Sequence, residues 1–185
     1  MLQFLREEDK VIRRDFCIDL LRHNEDDDGF CERIIFSDES TFHLSHVRDS
    51  PKINVFCAVS HTKMYGPFFF AEPTVNDGAP PHWHTDVRDY LDEVLPHRWI
   101  VRATADNNGL AFWPPRSPDH TPCDSFLWGF VKYRVFVPPL PLKLDDLKQR
   151  IRQDVASVDA DMLQRVWDEL DYRRDVPVCN WRSPY

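Results

Sequence analysis

Asp124 closes the stretch WPPRSPDHTPCD, residues 113–124. Pro114, Pro115, Pro118 and Pro122 fix their own φ and push the residues before them towards extended geometry, so the stretch reads as a rigid strap. CDSFLWGFVKYRVF comes next, with Phe126, Leu127, Phe130, Val131 and Val135 at helical spacing, which sets Asp124 at a helix start. A carboxylate in that place is either a plain N-cap or a functional group aimed from a stiff mount. Asp38 follows Ile34, Ile35 and Phe36, a buried-strand run, and is expected where a central strand leaves its sheet. On an α/β sheet that is the usual place for a site, the alternative being a solvated strand end. Two unpaired carboxylates about 4 Å apart repel by roughly 4 kcal/mol at an effective dielectric of 20, so such a pair persists only with a cation or on rigid mounts. His82 and His84, two residues apart in the loop DGAPPHWH, invite a metal reading too. With no third ligand nearby in sequence, they read as packing or surface groups.

The elements that must position these groups follow in chain order. Ile12, Phe16 and Leu20, flanked by Cys17 and Leu21, step by four and predict an amphipathic helix over residues 7–23, ended by an acidic turn at 24–29. Residues 33–40 predict a strand, which 42–44 extend or turn into a hairpin. INVFCAVS (53–60) and MYGPFFFA (64–71) predict two more strands joined by a tight turn as an antiparallel pair. A helix is expected over 85–95, stopped by Pro96, and a short strand over 110–113. Two last helices are expected over 144–155 and 162–172, separated from the strap helix by Pro138, Pro139 and Pro141.

Four stretches together carry a resemblance: IIFSDESTFHLS (34–45), VFCAVSHTKMYGPFFFAE (55–72), DGAPPHWHTDVRDYL (77–91) and WPPRSPDHTPCD (113–124). They resemble the catalytic domain of mariner-like DDE/D transposases, over residues from about 5 to about 178. The resemblance implies an α/β fold, a ribonuclease H-like mixed sheet flanked by helices, plus C-terminal helices. It implies Asp38, Asp77 and Asp124 as the catalytic and metal-binding triad, holding Mg²⁺ or Mn²⁺ for DNA cleavage and strand transfer, with Asp119 in a neighbouring element that is not a ligand. It also implies DNA and a second transposase chain as partners. The organisation expected is a connector helix (1–29), a truncated catalytic domain (30–137) and a C-terminal helical extension (138–185).

One departure bears on activity. In the family a crossover helix and a buried strand precede the second aspartate, whereas here only residues 72–76 separate the third strand from Asp77. A parallel strand needs a crossover of about a dozen residues, and a buried strand about five apolar-rich ones. The expectation is a sheet lacking one central strand, with Ile34 and Phe36 or their neighbours exposed along an open edge that invites self-association. Residues 46–50 shorten a hairpin as well, at less cost. The chain is therefore expected to be a catalytically impaired, transposase-derived protein, the alternative being a non-catalytic remnant acting as a protein-interaction module.

Composition sets outer bounds. One hundred and eighty-five residues with 42% hydrophobic content suit a single core. Five scattered cysteines without CxxC spacing argue for reduced thiols, with Cys57 in the core. No apolar stretch is long enough to span a bilayer and residues 1–10 hold no signal-peptide core, so an intracellular location, nucleus or cytoplasm, is expected. A net charge of -8 has the wrong sign for phosphate-backbone binding. Arg98, Arg102, Arg116, Lys132 and Arg134 around the strap are either a local basic rim or solvated surface charge.

Overall fold

Residues Glu7–Asp26 form helix α1. It opens with Asp9 Oδ2 accepting the Arg6 backbone N–H at 2.8 Å, which satisfies one of the donors a helix start leaves over. A computed structural model describes residues 5–45, 50–70, 113–114 and 116–182, with side chains to residue 175. The buried face of α1 differs from the one the apolar spacing predicts. Phe16, Cys17 and Leu20 point inward as expected, but Ile12 is 44% exposed while Asp9 and Arg13 are buried. Their burial depends on partners in the strap, more than 100 residues away in sequence.

Three strands follow: β1 (Phe36–His43), β2 (Lys52–Val59) and β3 (Met64–Phe70), in the sheet order β1-β2-β3. Both pairings are antiparallel, and the first runs unbroken from Phe36↔Val59 to His43↔Lys52. Residues opposite one another across an antiparallel pair share a face. Phe36, Asp38, Ser40 and Phe42 thus lie on the same face as Val59, Cys57, Val55 and Ile53. At Gly66, φ is +101° and a Cβ would come within 2.9 Å of the Phe56 carbonyl oxygen, so glycine is required where the β2–β3 register shifts.

After the strap comes a 3₁₀ turn (Pro118–His120), a π-helical turn (Cys123–Leu127) and helix α2 (Trp128–Val135). Helices α3 (Leu144–Ala156) and α4 (Ala160–Arg182) complete the described chain, α4 running ten residues past its expected end. They are more than an outer cover. Leu147, Ile151, Leu163 and Trp167 are buried in one continuous core with Phe16 and Leu20 of α1, Val55 and Val59 of β2 and Leu127 and Val131 of the strap helix. The Trp167 ring lies 6.0 Å from that of Phe36, and its indole N–H donates to the Cys31 carbonyl at 3.4 Å.

Several expectations need correction. Ile34 and Phe36 are buried, at 2% and 7% exposure, because Trp113 and Trp167 cover Phe36 and α4 closes the end of the sheet. Residues 33–35 precede the strand, since a 3₁₀ turn occupies Cys31–Arg33. Trp113 is not in a strand; it packs edge-on against Phe16 at 5.5 Å and Phe36 at 6.2 Å. The sheet among the described residues is purely antiparallel. The stretch 72–76, Asp77, His82, His84, Arg98, Arg102 and the helix expected at 85–95 lie outside the described residues, and with them the strand expected to be missing. Cys17, Cys31, Cys57 and Cys123 are buried free thiols.

Candidate functional site

Asp38 is the third residue of an eight-residue strand and pairs with Cys57. It sits within the strand because the β1–β2 pairing continues five residues beyond it, so the expected strand-end position is wrong. Its side chain belongs to the helix-covered face between Phe36 and Phe42. Trp128 covers it from α2: the indole N–H donates to Asp38 Oδ2 at 2.8 Å while the ring packs edge-on against Phe42 at 6.2 Å.

Asp124 is the second residue of the π turn, and Pro122, not Asp124, flanks the first turn, so the N-cap alternative does not describe it. The turn is fixed from below. Thr121 accepts the Ser125 backbone N–H at 3.0 Å and the Ser125 hydroxyl at 2.7 Å, and the Cys123 N–H donates to Thr121 Oγ1 at 3.2 Å. The Cys123 thiol donates to the Phe36 carbonyl at 3.7 Å, tying the turn to β1.

Asp38 feels the charge of Asp124. Burial, then the charge of Asp124, push Asp38 up to about 6, against the Trp128 hydrogen bond. Asp124 is raised by partial burial and by Glu39, while Lys132 draws it down. Lys132 is itself lowered by burial, against the pull of Asp124 and Asp38, and its ammonium lies 5.5 Å from the Phe42 ring centre. Asp124, Trp128 and Lys132 recur every four residues, so one stripe of the strap helix carries a carboxylate, the indole that holds the other carboxylate, and a cation. That stripe was the available signal for Trp128, which sequence reasoning missed because an aromatic at helical spacing reads as core.

Among the described residues no group of three or more His, Cys, Asp or Glu side chains is placed to hold a metal ion. The described part of the site is the pair Asp38 and Asp124. Carboxylate oxygens are the donors that suit a hard divalent cation. Of the cations around the strap, Arg116 binds Asp9 at 2.5 Å and Arg134 binds Asp154 at 2.8 Å, so both guanidinium groups serve internal pairs. Asp119 is engaged away from the pair, gripped by Arg13 through both carboxylate oxygens.

A three-stranded antiparallel sheet flanked by helices, with a carboxylate on its first strand and another on a following helical turn, defines a mixed α/β fold. No protein-family model and no curated protein matches the chain. Among solved structures it is similar to the catalytic domain of Mos1 mariner transposase, at TM-score 0.69 and 17% identity over 97% of each chain. The same domain with raltegravir and Mg matches at TM-score 0.68 and 18% identity, covering 99% of this chain and 100% of that one. The Mos1 paired-end complex with the left transposon end matches at TM-score 0.70 and 17% identity, covering 96% of this chain. The chain spans 63% of the length of the transposase in that complex. At such identity the likeness is one of fold, and it falls on the family that the sequence motifs resemble. No helix among the described residues is long and apolar enough to cross a membrane.

Proposed function

We propose that this chain is a transposase-derived protein with a ribonuclease H-like unit that binds a single divalent cation between Asp38 and Asp124, with Asp77 as third ligand, and is impaired in DNA cleavage and strand transfer. The observation that carries the reading is Asp38, held by the Trp128 indole and raised by burial and then by the charge of Asp124. A bound Mg²⁺ or Mn²⁺ would polarise a phosphodiester oxygen and activate water. Asp38 is oriented by the Trp128 indole at Oδ2, and the π turn fixes the Asp124 backbone.

Impairment is supported by three features. Lys132 already sets a cation beside the pair. Arg116 and Arg134 are spent on internal partners in a chain of net charge -8. Residues 72–76 leave no room for a crossover and a strand before Asp77. In this reading residues 1–29 connect, 30–137 form the catalytic-type unit and 138–185 extend it, and DNA is a weak, ancestral partner met in the nucleus.

The test is thermal unfolding with Mn²⁺, beside a plasmid-nicking assay. At a hundredfold excess over Kd the ion should stabilise the fold by about 2.7 kcal/mol, a rise of about 5 to 10 °C in Tm. Asp38→Asn should abolish the rise, and neither protein should nick. A Tm indifferent to Mn²⁺ refutes the metal site, and nicking that Asp38→Asn removes refutes impairment.

A further inference from the structure

We propose that Arg13 of α1 is a positioning residue for Asp124, so that the connector helix sets the geometry of the carboxylate pair; this rests on the proposed metal site. Arg13 is buried and directs its donors at a single short turn. Nη1 donates to the Arg116 carbonyl at 3.2 Å, to Ser117 Oγ at 2.9 Å and to Asp119 Oδ1 at 2.8 Å, while Nη2 donates to Asp119 Oδ2. Arg116 reaches back from that turn to Asp9, four residues before Arg13 and on the same face of α1. Two crossed ion pairs thus hold one turn to one helix. Arg116 itself stands at φ +54°, a left-handed conformation that a non-glycine residue keeps only when its surroundings enforce it. From the opposite side, Arg173 of α4 donates to the Asp119 carbonyl at 3.0 Å.

Little slack separates this clasp from Asp124. Pro118 and Pro122 have fixed φ, residues 118–120 are a closed 3₁₀ turn, and Thr121 is bonded into the turn that carries Asp124. A displacement of α1 therefore moves Asp124, whereas Asp38 is held separately by its strand and by Trp128. Guanidinium is required for this grip, since an ammonium cannot span both oxygens of Asp119 and reach Ser117 and Arg116 together.

The experiment compares wild type, Arg13→Lys and a core control, Ile151→Val, which lowers stability without removing a clasp contact. Mn²⁺ affinity is measured by calorimetry, and the Trp128 indole N–H is followed by NMR in metal-free protein. Arg13→Lys should weaken Mn²⁺ binding about tenfold and shift or broaden the Trp128 resonance, while Ile151→Val leaves both unchanged. If wild type binds no Mn²⁺ the metal reading fails, and the Trp128 resonance alone still decides whether Arg13 positions the strap helix. A folded Arg13→Lys protein with an unmoved Trp128 resonance and affinity within twofold of wild type overturns the proposal. Should Arg13→Lys not fold, Asp119→Asn takes the same measurements with the same expected outcome, and failure of both to fold assigns the clasp a purely structural role and overturns it.

Discussion

Four aspartates in two regions of this molecule show how one residue type is put to opposite uses. At the clasp, Asp9 and Asp119 face arginines. The Arg6 backbone N–H, then Arg116 against the cost of burial, hold Asp9 below the usual carboxylate range; burial pushes Asp119 up, but the hydrogen bond and charge of Arg13 outweigh it. At the sheet, Asp38 and Asp124 take part in neither of those arginine pairs, and both are pushed upward, by burial first. The clasp is electrostatically complete, and opening it costs stability. The carboxylate pair is incomplete, and its ionisation costs stability. Completeness of this kind separates structural charge from charge kept for a ligand.

The largest effect should come from breaking the complete region. Arg13→Ala leaves Asp119 without its cation and strips Ser117 and the Arg116 carbonyl of a donor. The expected loss is about 3 kcal/mol, towards the low end for buried pairs because Asp119 is half exposed. Urea unfolding at pH 7 measures it, and a loss under about 1 kcal/mol would mean that the clasp is no more than a surface pair.

Next comes the incomplete region, read through pH. A carboxyl raised to about 6 from 3.8 binds its proton more tightly folded than unfolded, so ionised Asp38 costs stability in full above pH 6 and not at all below about 4. His120 runs the other way. Burial lowers it to about 4 from 6.5, so the folded state loses stability as pH falls through that window. In wild type the two nearly cancel. Asp38→Asn keeps an acceptor for Trp128 but removes the acid, so it should be about 2 kcal/mol more stable at pH 7 and lose that advantage between pH 6 and 4. Equal acid profiles for the two proteins would show that Asp38 is not held raised.

The smallest effect sharpens the contrast. Lys132→Met removes the cation that partly completes the pair, and should tighten Mn²⁺ binding several-fold, by about 1 kcal/mol. Calorimetry decides it, and weaker binding would mean that Lys132 organises the pair and does not compete with the ion.

Much of this arrangement was legible beforehand. The alternation and apolar runs of residues 53–59 and 64–70 specify strands, and the tight turn between them specifies their antiparallel pairing. The proline strap before a helical repeat correctly put Asp124 on a fixed turn. What escaped was set by distant partners. Nothing in the apolar spacing of α1 marks Asp9 and Arg13, which are bound by the strap folded against them. Asp38 read as a strand-end residue because it follows the apolar run 34–36, while the pairing with β2 carries the strand on to His43. Trp128 was visible as an aromatic, but its indole N–H has meaning only once β1 lies beneath it.

The reach of α4 also governs the order in which the chain acquires its site. Trp167 closes over Phe36, and Arg173 holds the far side of the turn that α1 grips. A growing chain that has completed both carboxylates and the whole strap therefore still lacks the ring that covers Phe36, two residues from Asp38, and the bond that steadies the turn before Asp124. Its sheet and strap wait, unsealed, for some fifty further residues, roughly 3 to 10 s of synthesis at common elongation rates. The carboxylate pair becomes a site only after the segment that chemically has least to do with it has been made.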